Sequence, residues 1–192
     1  KFQEEIKQFL IHGFLKQVYS GQGDRVLSNI REELREMDET GDYTLKNNKF
    51  SFNDFRNMRI KGNKFFQISD EDLEEILDYK KGAYTLMVLT LLYPDLKYDQ
   101  IKFHQDHLHP DGLFNKPGFM QNGIEEDKQA EYINLKDRLP NLQLLEGEEN
   151  KSKNKTPLID WISNKKVIPD QQKYKDDNFI PNEVRLEFND FV

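Results

Sequence analysis

The first half of the chain repeats hydrophobic residues at helical spacing in three places, residues 2–18, 26–37 and 73–92. Because residues three and four positions apart share one face of a helix, each segment predicts an amphipathic helix. A capping-box pattern that begins at Ser69 marks the start of the third and longest helix, and Pro94 marks its end. The second half of this helix is apolar on every side, which predicts that it is buried in the core.

Residues 40–68 lie between the second and third predicted helices and show no clear period. Glycine, asparagine and five phenylalanines are mixed there. This composition favours a loop with a short helix. Taken together, residues 1–94 predict a helical subdomain.

Residues 95–165 predict a strand-strand-helix unit. Residues 98–104 and 141–145 read as its two strands, and residues 148–155 read as a short helix. An insertion, residues 111–138, separates the strands and contains a helical stretch of its own. The predicted class is therefore α+β and mostly helical, with the N-terminal helices packed on this unit.

Residues 166–192 form a polar tail that we expect to be loop-like. The last six residues resemble an element that continues past Val192. No internal repeat and no low-complexity linker interrupts the chain.

Composition narrows the class of protein. Cysteine is absent, which excludes disulfides and cysteine-ligated zinc sites and fits a reducing cytoplasm, the predicted location. No apolar run is long enough for a membrane span. The net charge is −7, but residues 151–175 contain seven lysines against Asp160 and Asp170, a local balance of +5. Such a stretch can contact phosphates, although a solvated lysine-rich face is its commoner use.

The candidate chemistry lies in two runs, Phe103-His104-Gln105-Asp106-His107-Leu108-His109-Pro110 and Leu139 to Lys153. Phosphodiester hydrolysis needs an activated water, a cation for the developing charge and stabilisation of the leaving 3′ oxygen. A neutral histidine is the usual group for deprotonating water. Carboxylate and amide oxygens suit Mg²⁺ or Mn²⁺. The two runs contain histidines that can deprotonate water, and an aspartate and asparagines that can bind such a cation.

Together the two runs resemble the His-Asn-Asn variant of the HNH (His-Me finger) nuclease motif. The resemblance extends to Gly123-Ile124, to residues 137–147 and to Pro157–Trp161. Over this wider range the chain is similar to the C-terminal nuclease domain of GmrSD-type, modification-dependent restriction endonucleases. The resemblance implies a β-β-α metal (HNH) unit and an endonuclease that serves in restriction or phage defence.

The resemblance also assigns roles to individual residues. His107 would be the general base, and Asn141 would brace the loop that holds it. Asp106 and Asn150 would bind Mg²⁺ or Mn²⁺. The resemblance would also place Lys153 near the scissile phosphate, and Lys151 and His109 are further candidates for phosphate contacts.

The partners that the resemblance implies are modified DNA and a nucleotide-hydrolysing, ParB/Srx-like N-terminal domain or subunit. The sequence contains no phosphate-cradling glycine loop, so that activity would lie outside this chain. A homodimer would allow both DNA strands to be cut. No membrane partner is expected.

Other interpretations stay open at the level of sequence. The unit could be a catalytically silent nucleic-acid-binding or dimerisation module, or an RNase. His109 is more often a hydrogen-bonded structural residue than a phosphate contact, and His104 is a weaker case of the same kind. A zinc site made from His104, Asp106, His107 and His109 would strain tetrahedral geometry because these ligands are so close in sequence.

Overall fold

The computed structural model describes residues 2–21, 23–47, 49–56, 58 and 66–192. Over these residues the protein is α+β, about half helical, with two small antiparallel sheets of two strands each. The predicted α+β class is therefore confirmed. The chain divides into two compact units, residues 1–76 and residues 77–192. The predicted helical subdomain extended to residue 94, so its residues 77–94 lie in the second of these units.

The described residues of the first unit surround a core rich in phenylalanine. Their helices and strands are α1 (Phe2–Leu15), α2 (Gly23–Leu34), β1 (Arg35–Met37), β2 (Tyr43–Leu45), α3 (Phe52–Arg56) and α4 (Asp70–Leu77), whose last residue is the first of the second unit. The buried core residues are Val18, Val26, Phe52, Phe55 and Phe66. Helix α3 is the short helix expected within residues 40–68, of which residues 48, 57 and 59–65 lie outside the described residues.

The second helix was predicted to continue to Met37, and this prediction is wrong for the last turn. Helix α2 ends at Leu34, and residues 35–37 pair instead with strand β2 in an antiparallel hairpin. The carboxylate of Asp38 accepts the backbone N–H groups of Thr40 at 2.9 Å and Asp42 at 3.0 Å, which stabilises a tight turn. Ser, Asp and Asn side chains compete with the helix in this way by offering the backbone a local partner.

The second unit carries the motif residues. Its elements are α5 (Ala83–Leu92), β3 (Phe103–His107), α6 (Lys116–Gln121), α7 (Glu126–Leu135), β4 (Leu142–Glu146), α8 (Gly147–Lys153), α9 (Leu158–Ser163) and α10 (Gln171–Asp177), with short 3₁₀ segments at Asp111–Leu113, Leu139–Asn141 and Phe188–Asp190. Of the helices that the structure describes, none is both long and apolar enough to cross a membrane.

The long third helix of the sequence prediction is two helices, α4 and α5. Between them the backbone bonds elsewhere: Lys81 donates its N–H to the carbonyl of Asp137 at 2.8 Å, and Tyr79 accepts the N–H of Leu139 at 2.9 Å. These long-range bonds replace helical ones. Burial of the apolar half is also only partial, because Val88 and Leu89 are buried whereas three leucines, Leu86, Leu91 and Leu92, are exposed.

Strands β3 and β4 pair antiparallel, and helix α8 follows β4 directly and packs on both strands. The first strand begins five residues later than predicted. The carbonyl of Lys97 accepts the N–H groups of Gln100 and Ile101, so the chain turns where the strand was expected. His107 is consequently the last residue of β3 and pairs with Leu142.

The tail is not merely a polar loop. It forms helix α10, and its apolar side chains enter the core of the second unit. Ile168, Ile180 and Leu186 pack with Trp161, and Phe188 packs in a neighbouring aromatic cluster. The sequence prediction missed this helix and this packing because the apolar residues of the tail are widely spaced and follow no single period.

Candidate functional site

The predicted Asp-His pair lies at the end of β3. Successive residues of a strand point to opposite faces of the sheet, and in this register Asp106 is opposite Gln143 and His107 is opposite Leu142. The two side chains therefore have different partners. His107 contacts an aspartate from the connection before β4, whereas Asp106 contacts a lysine from α8.

The imidazole of His107 is buried and pairs with Asp137. Its Nε2 lies 2.8 Å from the Oδ1 atom of Asp137, whose side chain is 38% exposed. A carboxylate in this position accepts a hydrogen bond from the ring N–H and leaves the other ring nitrogen as a proton acceptor. This arrangement suits a general base.

Asn141 connects the loop after His107 to the segment before β4. Its side-chain oxygen accepts the backbone N–H of His109 at 2.8 Å, and its side-chain amide donates to the carbonyl of Lys136 at 2.7 Å. Its own backbone carbonyl accepts the N–H of Leu108 at 2.8 Å. Asn141 is buried, so a residue without these groups would leave several buried polar atoms unpaired. This is the geometry expected of a residue that braces the loop.

Lys153 is completely buried, which does not match the phosphate contact predicted for it. Its ammonium donates to Asp106 at 2.7 Å and to the backbone carbonyl of His107 at 2.5 Å. Burial lowers the pKa of Lys153, and the neighbouring Asp106 opposes this shift. Lys153 therefore serves as an internal counter-ion that joins α8 to the end of β3.

The other two predicted phosphate contacts differ in exposure. Lys151 is exposed and forms an ion pair with Glu148 at 2.6 Å. His109 is buried against the rings of Phe188 and Phe191, with ring centroids 5.9 and 5.4 Å away. Burial, and then the charge of Lys153, lowers the pKa of His109 from 6.5 to about 4. Its position favours the structural role over a phosphate contact.

The face of Asp106 is rich in acidic groups. Burial raises the pKa of Glu149, and the nearby carboxylates of Glu146 and Asp106 raise it further. Asn150 lies beside Glu149 in the first turn of α8. Asp106 is paired with the buried ammonium of Lys153, and Glu146 and Glu149 add negative charge near Asp106.

A second acidic cluster lies on the face of His107. The ligand atoms of His107, Asp111 and Asp137 are within 4.8 Å of one another, a spacing at which they could hold a metal ion. Asp111 is already paired with Lys136 at 2.5 Å, and this bond is the main cause of the lowered pKa of Asp111. Of the residues considered for a zinc site, only His107 belongs to this cluster.

Three residues of the site, Asp137, Glu149 and Asp111, were not singled out from the sequence. Asp137 lies 30 positions after His107, and the only signal was its place in the run that resembles the nuclease domain. Glu149 precedes Asn150 directly, and an acidic residue in the first turn of a helix has an ordinary explanation in the helix dipole. Neither contact with the Asp-His pair follows from spacing alone.

No protein-family model matches this sequence, and no curated protein sequence is significantly similar to it.

Proposed function

We propose that this chain is a metal-dependent endonuclease domain that hydrolyses the phosphodiesters of DNA. The observation that carries the proposal is the hydrogen bond between buried His107 and Asp137, next to Asp106 on the opposite face of the same strand. The loop that follows His107 is held by Asn141. A base with an orienting carboxylate, beside oxygen ligands for a cation, is the set of groups that phosphodiester hydrolysis requires.

In the proposed reaction, Nδ1 of His107 takes a proton from a water molecule. The water oxygen forms a bond to phosphorus, and the bond from phosphorus to the 3′ oxygen breaks. The 3′ oxygen leaves with the electron pair of that bond and takes up a proton from solvent water. Bond formation needs the base because water at neutral pH is a weak nucleophile, and a positioned base contributes about 10²–10⁴-fold. Burial of the imidazole favours this role, since it limits the rotamers that the ring can adopt.

Asp106 and Asn150 are the residues proposed to hold Mg²⁺ or Mn²⁺, which would stabilise the charge that develops on the phosphate. A carboxylate and an amide oxygen are donor types that suit these ions. Among the described residues, the hydrogen bonds that Asp106 accepts from Lys153 and from Gln143 at 3.3 Å both end on its Oδ2 atom. An excess of carboxylates on this face supports a cation there.

The proposed partner is modified DNA, with a nucleotide-hydrolysing, ParB/Srx-like N-terminal domain or subunit as regulator, as in the restriction enzymes that the sequence resembles. The exposed lysines near the unit, among them Lys151, Lys155 and Lys166, are suited to phosphate contacts. Phosphate contacts position a protein without reading sequence, so selectivity would come from the regulator.

The test is nicking of supercoiled plasmid in the presence of Mg²⁺ or Mn²⁺ by the wild type, His107→Ala and His104→Ala. His104 is a matched control because it lies on the same strand. We expect His107→Ala to lose at least about 10²-fold in rate while it still binds DNA, and His104→Ala to stay active. More than a tenth or so of wild-type activity in His107→Ala would contradict the assignment.

The same assay separates the alternatives. A wild type that binds plasmid but never nicks it would indicate a silent binding module. Cleavage of single-stranded RNA in preference to plasmid would indicate an RNase, because the groups of the site act on either sugar.

A further inference from the structure

We infer that Asp137 is a positioning residue that fixes the tautomer and the orientation of His107, an inference that rests on the function proposed above. The contact is short, 2.8 Å between Nε2 and Oδ1, and the imidazole is buried. A carboxylate can only accept, so Nε2 must carry the proton. In the neutral ring Nδ1 then has the free lone pair, and the base acts through that atom.

Asp137 is itself held in place by its neighbours in sequence. Its backbone carbonyl accepts the N–H of Lys81 at 2.8 Å. On one side the carbonyl of Lys136 accepts the side-chain amide of Asn141 at 2.7 Å, and on the other Leu139 donates to the carbonyl of Tyr79. A carboxylate on a segment bound at residues 136, 137 and 139 keeps its place without the substrate, as preorganised catalysis requires.

His107 is restrained from its other side as well. Its backbone carbonyl accepts the buried ammonium of Lys153 at 2.5 Å, and the next two residues bond to Asn141. With the backbone fixed, the ring retains mainly the freedom to rotate and to exchange tautomers. The bond to Asp137 removes both.

The competing explanation is that Asp137 binds a metal together with His107 and Asp111. The pairing of Asp111 opposes it: this carboxylate already bonds the ammonium of Lys136 at 2.5 Å, and that bond is the main cause of its lowered pKa. A ring nitrogen that donates its proton to Asp137 also has no lone pair for a metal. The Mn²⁺ titration described below separates the two explanations.

The test uses Asp137→Ala, with Asp111→Ala as the matched control from the same cluster. ¹⁵N NMR of the histidine rings, in EDTA, reports which nitrogen carries the proton. The signals of His107 are assigned by their loss in His107→Ala. We expect wild type and Asp111→Ala to show the Nε2–H tautomer, and Asp137→Ala to show a mixture of both tautomers.

Kinetics and metal titration complete the test. In Asp137→Ala we expect kcat for plasmid nicking to fall about 10–100-fold, the usual cost of removing an orienting partner, with KM and Mn²⁺ affinity unchanged. Asp111→Ala should keep its kcat. Urea unfolding checks that both variants fold.

Two results would overturn the inference. One is an unchanged His107 tautomer in Asp137→Ala. The other is a loss of Mn²⁺ affinity in both variants, which would make the cluster a metal site. The NMR result does not depend on cleavage, so a wild type without nuclease activity would refute the proposed function and still decide the role of Asp137.

Discussion

Lys153 carries its charge in the interior of the second unit, beside the Asp-His pair. A lysine in a lysine-rich helix suggests a solvated cation, yet this side chain is completely buried between Asp106 and the backbone of His107. Asp106 neutralises the charge of Lys153 there. Removing either side chain would leave the other one charged and unpaired away from water. Lys153 thus connects stability to the geometry of the site.

Replacing Lys153 with Met should destabilise the second unit by about 3 kcal/mol, because Asp106 would keep its charge without a counter-ion. Lys151→Met, which removes an exposed lysine from the same helix, should cost about 0–1 kcal/mol. The single tryptophan, Trp161, is buried in this unit, so its fluorescence during urea unfolding measures both changes.

A second variant tests the mechanism of that loss. Adding Asp106→Asn to Lys153→Met removes the uncompensated charge and should recover part of the stability. If Lys153→Met and Lys151→Met unfold at the same urea concentration, Lys153 is not the buried counter-ion described above.

At the scale of elements, helix α6 illustrates how tightly the connection between β3 and β4 is built. Asn115 caps the helix by accepting the N–H of Gly118 at 2.9 Å, and Pro117 lies in its first turn. Gly118 packs against the backbone of Leu113: a Cβ added there would lie 2.8 Å from the carbonyl carbon of Leu113 and closer still to its oxygen. The insertion is therefore a compact structural part of the unit.

Gly118→Ala should lower the free energy of unfolding by about 1–3 kcal/mol, since backbone atoms must move to admit the methyl group. Gly147→Ala is the control: it lies at the start of α8, where the nearest atom to a new Cβ is 3.8 Å away. This change should be neutral or slightly stabilising, because Ala favours helix. Trp161 fluorescence in urea compares the two, and equal midpoints would contradict the packing at Gly118.

At the scale of the second unit as a whole, the tail covers His109 and removes it from water. Phe188 and Phe191 lie against its ring, and its Nδ1 atom has no hydrogen-bond partner among the described residues. Burial of the neutral ring is favourable only while it stays uncharged. The stability of the packing between the tail and His109 therefore depends on pH.

We predict that the unit loses stability as the pH falls from about 6.5 towards 4. The pKa of His109 is about 4 in the folded protein against an ordinary 6.5, so the unfolded chain binds more protons across this window. The free energy of unfolding should fall by about 3 kcal/mol near pH 4. Above pH 7 His109 has no such effect, because it is neutral in both the folded and the unfolded chain. Glu149, with its raised pKa, acts in the opposite direction.

His109→Gln isolates the effect because the contribution of Glu149 is common to both proteins. Urea unfolding of each, followed by Trp161 fluorescence in EDTA between pH 4 and 7, should give a flatter pH dependence for the variant. Identical slopes would show that His109 does not stay neutral on folding.

Much of the local structure was determined by the sequence itself. The helical periods predicted α1, most of α2 and helix α7 of the insertion. Strand β4 was predicted within one residue of its observed position, whereas β3 begins five residues later than expected. The short spacing between Asn141 and Asn150 was enough to expect a strand followed by a helix with Asn150 in its first turn. Local features of this kind depend on residues a few positions apart, so a pattern in the sequence records them.

Only the tertiary structure decided which distant groups meet. Thirty positions separate His107 from Asp137, and 47 separate Asp106 from Lys153, and neither contact follows from any local period. The division of the long helix into α4 and α5, and the burial of the tail, arise in the same way from bonds and packing across the chain. Whether a lysine is a solvated cation or a buried counter-ion depends on what excludes water from it, and packing alone determines that.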